Sequence, residues 1–265
     1  MNCFVRMTWA AATMLATGLL LPAQAEKVTT PLKALLIVGG CCHDYDNQKT
    51  IIPEGVSARS SVPIEWTVIH QGGKTVDTMI PFYQKENWAE GYDVVVHNEC
   101  FAAVGDEAFI EKILAPHRAG TPAVLVHCAM HCYRTGPTKE EWFKFCGVHS
   151  PKHGPHHAFE VELMETDHDV TRGLSNWTTP KGELYYIEKV YPGTTALAQG
   201  KSNADDRMHI NIWTHAYGEN KTRVFGTTIG HHNETMQDPN YLQMFTRGLL
   251  WAAGKNVDET FVSQP

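Results

Sequence analysis

Consecutive apolar residues that end in glycine or histidine constrain the fold of this chain more than any other feature. Lys33–Val38 is such a run and is followed by two glycines, and Ala123–Val126 is a second run that ends at His127. Runs of this kind are typical of strands that are covered on both faces in a parallel sheet. Helical patterns over residues 49–60 and 105–119 separate the strands. This alternation predicts an α/β protein with a doubly wound, mostly parallel sheet.

The second half of the chain carries strand-like segments with few helices between them. These segments predict added strands, some of them antiparallel, at an edge of the sheet. They cover residues 158–164, 183–187, 195–198, 209–214 and 223–229. An amphipathic helix over residues 241–253 follows them. Because the sequence has no repeat and no linker, we expect a single domain over residues 26–265, with its core over residues 33–255.

The first 25 residues have the pattern of a secretory signal peptide. Arg6 supplies a positive charge, Met7–Leu21 is largely apolar, and Ala23-Gln24-Ala25 is typical of a cleavage site. We therefore expect residues 1–25 to be a signal peptide and the protein to be exported, either to the periplasm or to the outside of the cell. The apolar run is short for a membrane span and no second run follows, so we expect no span after its removal.

The net charge and the motif content bear on partners. The formal net charge is −7, whereas proteins that bind nucleic acid favour a basic face, so we expect no nucleic-acid partner. No glycine-rich phosphate-binding motif occurs in the sequence, which argues against a nucleotide cofactor. Nothing in the sequence indicates a protein partner.

The chain has seven cysteines, of which Cys3 lies in the predicted signal peptide. The remaining even number, in an exported protein, would usually indicate disulfides. Here, however, Cys41 and Cys42 are adjacent, and Cys128 and Cys132 flank a strand end. This is not the spacing of a scaffold that disulfides hold together. The sequence leaves room for one bridge and argues against a fully bridged scaffold.

Four of the 15 histidines end or follow predicted strands: His43, His97, His127 and His231. The carboxyl ends of parallel strands meet at one edge of a sheet, where open α/β sheets bind their ligands. We expect a site there with His127 and His231 as an acid/base pair, since the ordinary imidazole pKa of about 6.5 suits proton transfer near neutral pH. The alternative is that each histidine only caps a strand or bonds a loop carbonyl.

Metal binding is a second interpretation of the same residues. His43, His127, His131 and His231 are candidate ligands for a divalent transition metal such as zinc. His127 and His131 are four residues apart, which would put both on one face of a helix. The intervening residues, Cys-Ala-Met, lack the glutamate of the zinc-protease motif. Three more histidines in segment 153–157 indicate a patch that is solvated or binds metal adventitiously.

Several motifs stand in a distinctive order along the chain. They are His43-Asp44, the strand that ends at His127, residues 168–174, Glu183–Tyr185, Trp213 with Tyr217-Gly218, Arg223–His231 and Arg247–Gly254. Together they resemble the ThuA-like family, named for trehalose utilisation, within the flavodoxin-like superfamily that includes class I glutamine amidotransferases. The resemblance covers roughly residues 33–255.

The resemblance implies a flavodoxin-like fold, with helices on both faces of the sheet. It also implies a role in sugar metabolism, beside oxidoreductases that make 3-keto sugars. In the amidotransferase relatives, the fourth strand ends in a sharp elbow that bears a nucleophilic cysteine. His127 stands at that position here, so glutaminase activity does not carry over to this chain.

A carbohydrate substrate gives further side chains a role. Glu183 is the third catalytic candidate, because a carboxylate can orient a histidine or act as a second base. His43, Asp44, Tyr185 and Trp213 are the candidates for substrate binding, since aromatic faces pack against sugar rings. Asp44 has the alternative role of a helix cap, and Trp213 that of a core residue.

These observations lead us to expect an enzyme that acts on an oxidised (3-keto) glycoside by moving protons next to a carbonyl group. Assistance by a metal is left open. The alternatives are a non-catalytic sugar-binding module that uses the same cleft and a metal-dependent hydrolase. The expected partner is a small carbohydrate, and the hydrolase alternative would act on a glycoside or an amide.

Overall fold

A computed structural model of the protein describes residue 1 and residues 30–264. All but the first residue of the predicted signal peptide, and Cys3 with it, therefore lie outside the described residues. No helix in the described part of the chain is both long and apolar enough to cross a membrane.

The chain alternates strands and helices in its first half and is richer in strands in its second half. In chain order, the strands are β1 (Leu32–Gly40), β2 (Ile64–His70), β3 (Val94–Cys100), β4 (Ala123–Val126), β5 (Val148–His149), β6 (Glu160–Leu163), β7 (Trp177–Thr178), β8 (Lys189–Val190), β9 (Thr194–Lys201), β10 (Met208–Tyr217) and β11 (Thr222–Thr227). The helices are α1 (Tyr45–Ser57), α2 (Glu107–Arg118), α3 (Lys139–Cys146), α4 (Asn233–Met236), α5 (Pro239–Ala252) and α6 (Val257–Thr260), with 3₁₀ turns at Pro81–Gln84 and His127–His131.

Within residues 30–264, nine strands form one sheet in the order β2-β1-β3-β4-β11-β10-β9-β6-β7. The five strands from β2 to β11 in this order are parallel to one another. The remaining four, β10, β9, β6 and β7, are antiparallel to their neighbours and extend the sheet on one side. Strands β5 and β8 pair separately. The prediction of a mostly parallel α/β sheet with added edge strands in the second half is confirmed.

Helices cover both faces of the parallel part of the sheet. Successive residues of β1 point to opposite faces because side chains alternate along a strand. Leu35 and Ile37 belong to the core that packs under α2 and α3. Leu36 and Val38 belong to the second core, under α1 and α5. The continuous apolar run in the sequence is therefore explained by burial on both sides.

The predicted strand over residues 183–187 is wrong. This segment is a loop that pairs with the loop at residues 153–157 through isolated bridges, between His153 and Tyr185 and between His157 and Gly182. Its backbone bonds to the neighbouring loop rather than to the sheet. A period of two in the sequence cannot distinguish these two partners, because both arrangements keep the backbone extended.

The prediction that His97 ends its strand is also wrong. Strand β3 continues for three more residues, so His97 is fully buried inside the sheet. Its Nδ1 lies 2.9 Å from Oε1 of the buried Glu99, and its Nε2 lies 3.1 Å from Nε2 of His117. The Tyr83 hydroxyl donates to the same Glu99 oxygen at 2.7 Å. These contacts satisfy His97 within the core and keep it away from the carboxyl edge.

Removing the carboxylate of Glu99 should destabilise the protein strongly. In a Glu99→Ala variant, His97 and Tyr83 each lose a buried hydrogen-bond partner, and each group left unsatisfied costs about 1–3 kcal/mol. The measurement is the free energy of unfolding in urea. Glu162→Ala, at an exposed position of β6, is the matched control and should change it by less than about 0.5 kcal/mol. Equal denaturation midpoints for the two variants would contradict this assignment.

Candidate functional site at the carboxyl edge of the sheet

Three histidines from three different loops meet at the carboxyl edge of the parallel strands. His43 follows β1, His127 follows β4 directly, and His231 lies four residues beyond β11. One ring nitrogen of each histidine lies within 4.8 Å of those of the other two. The ring centroids are 4.6–5.3 Å apart. We call these three residues the histidine cluster. They come together because parallel strands deliver their carboxyl ends to the same edge.

The backbone holds His127 in an unusual conformation. Its φ is +48°, in the left-handed region that a residue other than glycine adopts at a cost of about 1–3 kcal/mol. This turn carries the chain from β4 into the 3₁₀ turn that follows. The His127 Nδ1 donates to the carbonyl of Thr228 at 2.5 Å, since a carbonyl oxygen only accepts. This bond leaves Nε2 directed at the rest of the cluster and sets the orientation of the ring.

The carboxylate of Glu183 lies at the centre of the site. Its Oε2 is 3.3 Å from His127 Nε2 and 3.3 Å from His231 Nδ1. Its Oε1 is 2.5 Å from His156 Nε2 and 3.5 Å from His153 Nδ1. Glu183 is only 5% exposed, so the imidazoles replace much of the water that a carboxylate would otherwise bind.

Burial and the histidines act in opposite directions on Glu183. Burial tends to raise the pKa of this carboxyl, but hydrogen bonds with His127 and His231, and their charges, hold its pKa well below the ordinary value. For His127, burial is the largest cause and lowers the pKa, while the neighbouring Glu183 opposes that change. The two groups are thus coupled: an ionised Glu183 favours a proton on His127 Nε2, and only a ring protonated at that atom can donate a hydrogen bond to the carboxylate.

His43 has no partner within the described residues for either of its ring nitrogens, and both atoms are buried. Burial, followed by repulsion from His127 and His231, lowers the pKa of His43 to about 2. Buried polar atoms are nearly always bonded. A neutral imidazole without a partner, with its nitrogen close to two others, can accept a proton donor of a substrate or a metal ion.

A cleft of about 380 Å³ is lined by His43, Glu183 and His231 of this site. Its wall includes the basic side chains of Arg134 and Lys152. Tyr185 is 1% exposed and stacks on His131, with ring centroids 4.1 Å apart. Tyr185 therefore presents its hydroxyl, 3.4 Å from Nε2 of His127, rather than a free ring face.

The structure does not bring every candidate to the cluster. The ring of His131 does not join the histidine cluster. The turn after β4 is a 3₁₀ helix with three residues per turn, so His127 and His131, four residues apart, do not share a face. Trp213 is fully buried, and its Nε1 donates to the carbonyl of Cys146 at 2.8 Å. Asp44 caps α1 and accepts from Asn233 at 2.7 Å. Trp213 is thus a core residue and Asp44 a capping residue.

The sequence analysis missed two histidines of the site. His153 and His156 were interpreted as a solvated patch, yet both contact Glu183. They reach it because their loop pairs with the loop that carries Glu183: Gly154 N donates to Leu184 O at 2.8 Å. No local pattern signals a contact between two loops. Only the repeated His-x-x-His spacing could have drawn attention to them.

The sequence left room for one bridge and argued against a fully bridged scaffold, and the structure has two bridges and two free cysteines within the described residues. Two disulfides occur within the described residues, Cys41–Cys42 and Cys100–Cys128. The second bridge forms because β3 and β4 are neighbours and their ends lie side by side. Cys132, which the sequence placed at a strand end, is a buried free thiol.

Comparison with known proteins agrees with this fold. The family profile described as "ThuA: Trehalose utilisation" matches residues 49–252, and the chain belongs to this family. The structure is similar to that of a protein of Parabacteroides merdae described as ThuA-like, at a TM-score of 0.69 and 21% identity, over 89% of this chain and 93% of that one. A protein of Bacteroides uniformis with the same description matches at a TM-score of 0.65 and 16% identity, over 88% and 95%.

A glutamine amidotransferase of Thermotoga maritima is also similar, at a TM-score of 0.44 and 12% identity, over 84% of this chain and 98% of that one. This likeness is too distant to bear on chemistry, and the identities to the ThuA-like structures are low enough to concern the fold alone. No curated protein matches the chain. Its chemistry must therefore be argued from the site.

His43 should remain neutral over the pH range in which an ordinary histidine titrates. Its pKa is lowered to about 2, chiefly by burial. In protein treated with a chelator, the ring signals of His43 should therefore not shift between about pH 4 and pH 8. The measurement is an NMR titration, with the signals assigned from a His43→Gln variant. A midpoint near pH 6.5 would show that the ring is in contact with water.

Proposed function

We propose that this member of the ThuA family is an enzyme of carbohydrate metabolism that transfers protons next to a sugar carbonyl group. His127 and His231 are the acid/base pair, and Glu183 orients them. The observation that carries this proposal is the position of Glu183 Oε2, at 3.3 Å from one nitrogen of each histidine in a buried site. A carboxylate between two imidazoles is suited to hold both rings and to stabilise either of them when it takes up a proton.

His127 has the properties of a general base. Its Nδ1–H is engaged by the Thr228 carbonyl, so the lone pair of the neutral ring is on Nε2. Burial lowers the pKa of His127 and so favours the neutral ring, whose Nε2 can accept a proton. When Nε2 takes up that proton, the adjacent Glu183 carboxylate stabilises the imidazolium. His231 Nδ1 lies 3.3 Å from His127 Nε2, beside the same carboxylate oxygen, and can return a proton.

Cationic and polar groups around the cleft support chemistry at a carbonyl. Arg134 and Lys152 lie on the wall of the cleft, and fixed positive charge stabilises the negative oxygen that forms when a carbon beside a carbonyl loses its proton. The Tyr185 hydroxyl and the ring of His43 supply further polar contacts in the same place. The proposed substrate is an oxidised (3-keto) glycoside, because the family description concerns trehalose utilisation and the proposed proton transfer requires a carbonyl.

We also propose that the protein acts outside the cytoplasm. The pattern of residues 1–25 supports this location. The two disulfides support it as well, because such bonds persist in oxidising compartments.

A second candidate function, metal-assisted hydrolysis, is favoured by one specific observation. The nitrogens of His43, His127 and His231 lie within 4.8 Å of one another, and both nitrogens of His43 lack a partner within the described residues. The bond from His127 Nδ1 to a backbone carbonyl is the kind of contact that commonly orients a metal-bound histidine. In this alternative the cluster holds a divalent metal such as zinc, Glu183 adds an oxygen ligand, and the metal polarises the scissile group.

Replacing His127 should abolish turnover while leaving substrate binding largely intact. We expect His127→Gln and Glu183→Gln to lower the rate by about 10²–10⁴-fold, which is the usual contribution of an acid/base group. The assay is incorporation of deuterium from D₂O into 3-keto glycosides, followed by mass spectrometry, with affinity measured by calorimetry. Glu162→Gln, at an exposed position, is the matched control. Binding by the wild-type protein without exchange or turnover would favour a sugar-binding module.

The metal alternative predicts a stoichiometric ion. Protein purified without an affinity tag should contain about one equivalent of a transition metal, as measured by elemental analysis, and should lose both the metal and turnover after chelation. His127→Ala and His231→Ala should lack the metal. His168→Ala is the control, because His168 contacts Val170 and Trp251, outside the cluster. If the protein stays folded and turns over substrate in the presence of a chelator, the metal alternative is wrong and acid/base chemistry without a metal remains.

A further inference from the structure

Four cysteine sulfurs line the wall of the same cleft and are not used by the proposed chemistry. Cys41–Cys42 lies in the loop after β1, and Cys100–Cys128 joins the end of β3 to the turn after β4. The two disulfides touch: Cys41 Sγ lies 3.7 Å from Cys100 Sγ. The chain thus holds two disulfides in contact, which is the arrangement that thiol–disulfide exchange requires.

The two disulfides differ in their access to solvent. Cys42 is exposed and Cys41 is half-buried, whereas Cys100 is 3% exposed and Cys128 is 8% exposed. A thiol reagent or a protein dithiol can approach the sulfur of Cys42. The Cys100–Cys128 disulfide is largely shielded from such a reagent. Because exchange needs an attacking thiolate to reach a disulfide sulfur, the exposed pair is the route to the buried one.

We propose that Cys41–Cys42 relays two electrons from an external dithiol to the buried Cys100–Cys128 disulfide. The dithiol first reduces Cys41–Cys42 and becomes a disulfide itself. The Cys41 thiolate then attacks Cys100 Sγ, so that a Cys41–Cys100 bond forms and the bond to Cys128 breaks. The Cys42 thiolate next attacks Cys41 Sγ, which restores Cys41–Cys42 and releases Cys100. The two protons lost by Cys41 and Cys42 are balanced by those gained at Cys100 and Cys128.

The surroundings of the buried disulfide fit this exchange. One ring nitrogen of His43 lies within 4.8 Å of the sulfurs of both Cys100 and Cys128. The neutral ring carries one N–H, which can donate a hydrogen bond to the leaving Cys128 thiolate without any change in the protonation of His43. Cys128 directly follows His127, so opening the bridge releases the turn that presents the catalytic candidate from its covalent link to β3. The relay thus connects an external dithiol to the state of the cleft.

The test follows the thiols themselves and does not depend on any sugar reaction. The full-length protein in a chelating buffer receives limiting dithiothreitol, is alkylated after different times, and is analysed by peptide mass spectrometry. We expect thiols at Cys100 and Cys128 to appear after those of Cys41 and Cys42. In a Cys41→Ser/Cys42→Ser variant, reduction of Cys100–Cys128 should slow by at least about tenfold. Cys146→Ala, which removes a buried free thiol that belongs to neither disulfide, should not change the rate of this reduction.

A second variant keeps the test decisive if the double variant does not fold. In Cys42→Ser the Cys41 thiolate has no resolving partner, so it should be trapped in a Cys41–Cys100 disulfide with Cys128 free. Peptide mapping without reductant detects this bond. The proposal is overturned if Cys42→Ser retains Cys100–Cys128 and a free Cys41. It is also overturned if a folded double variant is reduced at Cys100–Cys128 as fast as the wild-type protein. Neither result alters the expected effect of His127→Gln on turnover.

Discussion

The contact on which the site depends is the one between the Glu183 carboxylate and the imidazoles around it. A carboxylate that is only 5% exposed loses most of its hydration, which is costly unless other groups replace the water. Here His127 and His231 contact one oxygen, and His153 and His156 contact the other. These histidines lie in three different loops. Glu183 therefore links its own loop, between β7 and β8, to the loop between β4 and α3, the loop between β5 and β6 and the loop after β11.

The two halves of the sheet make different contributions to this arrangement. The parallel half delivers His43, His127 and His231 to one edge, because all its strands run in the same direction. The antiparallel half adds connections long enough to cross that edge, and one of them brings Glu183 to the histidines. The Thr228 carbonyl, just beyond β11, then sets the tautomer of His127. Each half alone would leave either an imidazole cluster without its carboxylate or a carboxylate without its partners.

The sequence predictions were correct where the structure depends on local patterns and wrong where it depends on contacts between distant segments. His43, His127 and His231 could be placed together because strand periodicity and strand direction are local properties. His131 was misplaced because spacing does not reveal whether a turn is 3₁₀ or α-helical. His97 was misplaced because β3 runs three residues further than its apolar run suggests. Pairing between the loops that carry Glu183 and His156 joins segments about 27 residues apart, and no periodicity reports such contacts.

The sequence was sufficient for the fold class, the parallel core and the positions of His43, His127 and His231 after their strands, because buried strands leave a readable pattern of apolar residues. Only the folded chain decided which side chains meet. It placed Glu183 between four imidazoles, moved Trp213 into the core, and brought Cys100 beside Cys128. Those outcomes depend on distances between loops, and loop positions are set by packing and by backbone hydrogen bonds across the whole domain. The order of residues within one loop does not reveal where the other loops lie.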